Sequence, residues 1–243
     1  MFYLSQDELQ DQQIPDWPHY FATLARQARH PSLRAFYQQG VVAAQTPLAE
    51  VPLMAMDFET TSLDARTGGI LSIGLVPMRL QRIYCHQARH WLLKPRAPLP
   101  ESSIVIHKIT HSEVAKAPDL QDILDVVLAQ MAGHIMVVHH QGIERPFLQA
   151  ACKARIGEGI EFPVIDTMQL EARIHRRKRM RWIDALLGRK PVSIRLADAR
   201  QRYNLPFYTA HHALTDALAT AELLQAQVAH RFSADVPVGD LWS

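Results

Sequence analysis

An eight-residue apolar run that ends in two carboxylates, Pro52-Leu-Met-Ala-Met-Asp-Phe-Glu59, constrains this chain more than any other stretch. A short, nearly continuous apolar segment of that length reads as a strand. A second such run, Gly69-Ile-Leu-Ser-Ile-Gly-Leu-Val-Pro77, follows it, and the polar segment Thr60 to Gly68 between them reads as a turn. A third strand is expected near Tyr84 to Leu93, which gives a three-stranded meander.

Downstream the spacing becomes helical. Leu120, Ile123, Leu124, Val127, Leu128 and Met131 fall on one face of a helix over Pro118 to Met131, which stops before Gly133. A strand at His134 to His139, a helix from about Ile143 to Arg155 and a strand at Phe162 to Ile165 come next. Helices near Thr167 to Arg176, Ile194 to Arg202 and His212 to Phe232 complete the alternation. A meander followed by alternating helices and strands predicts an α/β fold with a mixed sheet. Trp17, Tyr20, Phe21, Leu24 and Ala25, spaced as on a helix around Pro18, predict one or two short helices in an N-terminal extension over 1–48. The main domain is expected over 49–235 and a C-terminal tail over 236–243.

With 243 residues, 48% of them apolar, the chain can bury a full core. Its net charge of +2 argues neither for nor against a nucleic-acid partner, so local clustering has to decide. Cys85 and Cys152 lie far apart in apolar sequence, which fits a reduced intracellular protein and disfavours a cysteine zinc site. The first residues lack the basic and apolar regions of a signal peptide, and no run approaches the ~18 apolar residues of a membrane span. The expectation is a cytoplasmic protein without a membrane partner.

Asp57 and Glu59 sit two apart at the end of the first strand, so their side chains leave the same face of the sheet. Like carboxylates held close raise each other's pKa unless a cation neutralises them, and Mg²⁺ or Mn²⁺ with oxygen ligands does so directly. Taken alone, the pair also fits a strand end that is merely acidic. Near the C-terminus, His211 precedes Asp216 by five positions at the start of a long Ala-rich helix. A histidine just outside a helix can act as a general base, while an aspartate in its first turns is held rigidly as a metal ligand. The plain alternative is an aspartate favoured by the helix dipole beside a surface histidine.

Met56-Asp-Phe-Glu-Thr-Thr-Ser-Leu-Asp64 and His211-His-Ala-Leu-Thr-Asp-Ala217 resemble the first and third motifs of the DEDDh exonucleases. Between them, Ile106-His-Lys-Ile-Thr-His-Ser-Glu-Val114 and Val164-Ile-Asp-Thr-Met168 resemble the family's Ile-His-Gly-Ile-Thr segment and its Asp-Thr strand end. The likeness spans about residues 52–230. The chain departs at the second motif, where His139-His-Gln-Gly-Ile-Glu-Arg-Pro-Phe-Leu148 stands for the usual His-Asn-x-x-Phe-Asp. Glu144 falls where Asp is expected, His140 replaces Asn, and Pro146 reads as lying in the first turn of a helix.

The resemblance implies a ribonuclease H-like fold, a mixed five-stranded sheet flanked by helices. It implies 3′-to-5′ exonuclease activity that releases 5′-mononucleotides from single-stranded DNA or short oligonucleotides. Two Mg²⁺ or Mn²⁺ ions would be held by Asp57, Glu59, Glu144 and Asp216, with His211 as general base. Thr60 would meet the terminal 3′-OH, Phe58 would support the strand end, and His107 would lie near the substrate groove. DNA ranks ahead of RNA as partner. An RNA-trimming, oligoribonuclease-like enzyme and a catalytically degenerate nucleic-acid-binding module stand as alternatives. The basic run His175-Arg-Arg-Lys-Arg-Met-Arg-Trp182 is either a phosphate grip or a solvated loop. His107 and His111 read as loop residues, and the pairs His139-His140 and His211-His212 as a minor candidate for a transition-metal site.

Overall fold

The computed structural model describes residues 14–98, 100–101, 109–175 and 192–243. Strand β1 (Leu53–Thr60) lies at the centre of a mixed sheet, antiparallel to β2 (Ile70–Arg79) and parallel to β5 (Ile135–Val138), which is itself parallel to β6 (Val164–Asp166). The outer edge of β2 carries two short antiparallel strands, β3 (Arg82–Ile83) and β4 (Arg89–Leu92). Among the described residues the sheet therefore has six strands instead of five: the strand expected near Tyr84 to Leu93 is shortened to β4, and β3 precedes it. The break between the two has a physical cause in Pro77. It accepts a hydrogen bond from the Tyr84 N–H at 2.9 Å but has none to return, so the ladder fails there and the chain makes a 3₁₀ turn at Cys85–Gln87 before resuming.

Helices cover the sheet. In chain order they are α1 (Trp17–Gln27), α2 (Pro31–Gln38), α3 (His111–Lys116), α4 (Leu120–Met131), α5 (Gln141–Ile156), α6 (Thr167–His175), α7 (Leu196–Arg202) and α8 (Ala213–Arg231). Helix α4 begins at Leu120 because Asp119 caps it, accepting the Gln121 N–H at 2.8 Å. Helix α8 lies across β1 and β2, burying Ala217, Ala221, Leu224 and Val228 against two largely buried strands. The small alanines let that helix come close to the sheet. Helices α1 and α2 join the same core through Trp17, Phe21, Phe36 and Tyr37, with Phe21 edge-on to Tyr37 at 5.2 Å between ring centroids. Residues 236–243 close the far edge of the sheet, where the Ser243 N–H donates to the Val164 carbonyl at 2.9 Å and Trp242 pairs with Ile165. Among the described residues, no helix is long and apolar enough to cross a membrane.

Candidate active site

The alternation of β1 puts Asp57 and Glu59 on one face at the strand's C-terminal end. Phe58 points the other way into the hydrophobic core and is 6% exposed, so it holds the strand end from behind. The register slips between Glu59 and Thr60, where the chain leaves the sheet. The Thr60 hydroxyl is engaged in that turn, donating to the Ser62 carbonyl at 2.6 Å.

Asp216 comes to this strand end because of Gly74. Gly74 pairs with Asp57 across the β1–β2 ladder, and a Cβ built there would lie 2.4 Å from the backbone of Ala213. Only glycine lets the start of α8 sit on β2 at that point. One turn into the helix, Asp216 then shares a space with the strand pair: Asp57, Glu59 and Asp216 each offer a carboxylate oxygen within 4.8 Å of the others. His211 stands just before the helix, exposed, with a left-handed backbone (φ 71°), and its N–H donates to Asp216 Oδ2 at 2.8 Å. His212 caps α8 by accepting the Thr215 N–H, and its ring stacks on His90 of β4 at 4.6 Å.

Glu144 arrives from the other side, on α5. The helix starts two residues earlier than its sequence pattern indicates, because the buried Asp166 carboxylate at the end of β6 accepts the His140 and Gln141 N–H groups at 3.2 and 3.0 Å. His140 reaches this position with φ 117°, another left-handed non-glycine backbone beside the site. With the earlier start, Pro146 falls inside the helix, in its second turn, a correction to the expected first-turn position. Glu144 is 3% exposed, and its Oε2 has no hydrogen-bond partner among the described residues. Among the charged neighbours of Asp57, Glu144 weighs most, ahead of Glu59 and Asp216.

Asp57, Glu144 and Asp216 are costly to ionise. Burial pushes Asp57 well above the usual carboxylate range, and the adjacent Glu144, Glu59 and Asp216 push it further. Burial likewise raises Glu144, with Asp166 adding to the effect and a backbone N–H opposing it. Burial raises Asp216 too, against the opposing hydrogen bond from His211 and in concert with Glu59. A set of convergent oxygen donors that are costly to ionise together is the environment that a hard divalent cation relieves.

Other expectations fare differently. His107 lies outside the described residues, as does the basic run beyond His175, which closes α6 and stands 3.5 Å from Glu171. His111 does not serve a loop: it begins α3, which Thr110 caps through a reciprocal pair of hydrogen bonds with Glu113. His139 is buried between the Thr167 hydroxyl at 2.8 Å and the Ile194 carbonyl at 3.0 Å, a core histidine. Cys152 is buried, whereas Cys85 is exposed; both are free. Sequence reasoning missed Gly74 and the capping role of Asp166. A glycine inside an apolar strand run was the available signal for the first.

The profile of the exonuclease family matches residues 54–224. The chain belongs to the exonuclease family. A DNA polymerase III subunit epsilon-like protein from Rhodobacter capsulatus is 30% identical over 181 residues, which are 74% of this chain and 24% of that protein. The chain thus spans about a quarter of that relative's length. The nuclease domain of 3′hExo, a DEDDh family member, superposes with a TM-score of 0.60 at 14% identity, over 74% of this chain and 92% of that one. Exonuclease X superposes at 0.58 with 22% identity, over 78% of this chain and 98% of that one. The fold is that of the ribonuclease H-like superfamily.

Proposed function

We propose that this chain is a metal-dependent 3′-to-5′ exonuclease that releases 5′-mononucleotides from the 3′ end of single-stranded DNA or short oligonucleotides by two-metal-ion hydrolysis. The observation that carries the reading is the convergence of Asp57, Glu59 and Asp216 within 4.8 Å, with the charge of Glu144 adding to the cost of ionising Asp57. The donor set fits Mg²⁺ or Mn²⁺: it is all carboxylate oxygen, and one of those oxygens, Glu144 Oε2, is buried without a hydrogen bond among the described residues. Bound divalent cations would supply activation of water and neutralisation of charge that grows at the phosphate.

The chain's own residues supply the rest. Asp57, Glu59, Glu144 and Asp216 hold the cations, and Glu144 serves in place of the family's aspartate with a longer reach. His211, exposed at the rim, takes the proton of the attacking water and later returns it to solvent. Its backbone is tied to Asp216, so base and ligand are positioned by one turn of chain. Phe58 braces β1 from the core side, and Thr60 meets the terminal 3′-OH. His107 belongs near the groove. That Exonuclease X was solved with 5′ overhanging duplex DNA supports DNA as the substrate class.

The test uses 5′-labelled single-stranded DNA and RNA oligonucleotides with Mg²⁺ or Mn²⁺, with EDTA and Asp57→Ala as controls. The expected result is a metal-dependent ladder that shortens from the 3′ end, fastest on DNA, and is lost in the variant by roughly 10³-fold, as when a charge-stabilising group is removed. Binding without cleavage in either metal would overturn the reading.

A further inference from the structure

Asp57, Gly74 and His90 form one rung across three neighbouring strands. Asp57 of β1 pairs with Gly74 of β2, and Gly74 pairs on its other side with His90 of β4. Residues paired in this way project from the same face of the sheet. The middle position has no side chain, and the backbone of Ala213 occupies the space, so the start of α8 is seated between Asp57 and His90. On the Asp57 side the helix contributes Asp216 to the carboxylate cluster. On the far side, the ring of His212 lies against the ring of His90, with centroids 4.6 Å apart and planes at 30°.

His211 is the residue between those two anchors and the preceding loop. Its left-handed backbone is a conformation that a non-glycine residue holds only when its surroundings impose it. Two contacts of its turn impose it here: the His211 N–H on Asp216, and the stacked ring of His212 on His90. The first of these is made by a carboxylate that also has to serve a cation. The second comes from β4, a separate strand, although the His90 ring also feels the charge of Glu59.

We infer that His90 is a positioning residue for the general base: its ring fixes His212, and through that residue the turn that aims His211. This rests on the exonuclease reading above. His90 touches neither substrate nor reacting atoms in this role, so its loss lowers turnover and leaves substrate binding in place.

The experiment is a double-mutant cycle on the full chain. It reads kcat and KM for a single-stranded DNA oligonucleotide in Mn²⁺ for wild type, His90→Ala, His90→Phe, His211→Ala and the His90→Ala/His211→Ala pair. Thermal melting of each serves as a folding control. His90→Ala is expected to lower kcat about 10-fold with KM little changed, in the range seen when a residue that orients a functional group is removed. His90→Phe, which keeps a flat ring to stack on, is expected to retain most of the activity. In the His211→Ala background, His90→Ala is expected to cost nothing further, since the group it aims is already gone. Equal losses in both backgrounds would overturn the inference, as would a phenylalanine variant no better than alanine at unchanged melting. A wild-type chain inactive on every substrate would instead overturn the exonuclease reading, and the inference with it.

Discussion

Glu171 and Asp57 are both carboxylates held against the core, and the molecule treats them in opposite ways. Glu171, on α6, is fully buried and accepts hydrogen bonds from Arg202, from the Tyr203 hydroxyl at 2.9 Å and from Gln227 Nε2 at 2.8 Å. Burial pushes its pKa up, but those donors outweigh burial and hold it below the usual range. Asp57 meets burial together with Glu144, Glu59 and Asp216, all of which push the same way. Removal from water is common to both sites, so it is the supply of donors that separates a structural carboxylate from one that awaits a cation. The structural site also steadies the functional one. Next to it on α7, the buried Arg200 donates to Glu222 of α8 at 2.7 Å and to the Pro206 carbonyl at 2.9 Å, anchoring the chain that leads into His211.

The contrast can be broken most forcefully at Glu171. Arg202→Met leaves a buried carboxylate without its cation and is expected to cost about 3 kcal/mol of stability, read from urea unfolding at neutral pH. A loss under half that size would show that Tyr203 and Gln227 suffice. Acid should act next, through His139 on the satisfied side. Burial lowers its pKa to about 4, below the unfolded value near 6.5, so the unfolded chain binds the extra proton between those limits. Stability is therefore complete above the unfolded value and falls as pH drops towards the folded one. Between pH 7 and pH 5 the expected loss from this group is about 2 kcal/mol, and His139→Gln should flatten that part of the curve. The smallest effect has the opposite sign. Asp57→Asn removes one charge from the unsatisfied cluster and should raise stability in EDTA by about 1 kcal/mol while abolishing cleavage. Added Mn²⁺ should raise the melting temperature of the wild type and leave that of the variant unchanged; equal shifts in both would place the cation elsewhere.

Much of this arrangement is legible from residues close together in sequence. The two apolar runs around Thr60 to Gly68 identify β1 and β2, and the spacing of Asp57 and Glu59 puts both on one face because strand geometry is local. The helix over 120–131 follows from apolar spacing, and its cap from Asp119. The breaks in pattern were harder. The third strand reads as continuous from Tyr84 to Leu93, yet only Arg89–Leu92 is paired there, after a break beside Pro77, whose missing N–H lies on another strand. The start of α5 is set by Asp166, 26 residues beyond His140 in the chain, and no local signal places those two groups together.

The sequence by itself determined the order and type of the main elements, the acidic strand end, and the histidine and aspartate at the head of the last helix, because each depends on spacing along the chain. Tertiary structure alone decided that Gly74 admits the backbone of Ala213, that Asp216 thereby joins Asp57 and Glu59, and that the charge of Glu144 adds to the cost of ionising Asp57. Charge repulsion and desolvation act through space between groups from three separate elements, so they exist only once those elements are packed.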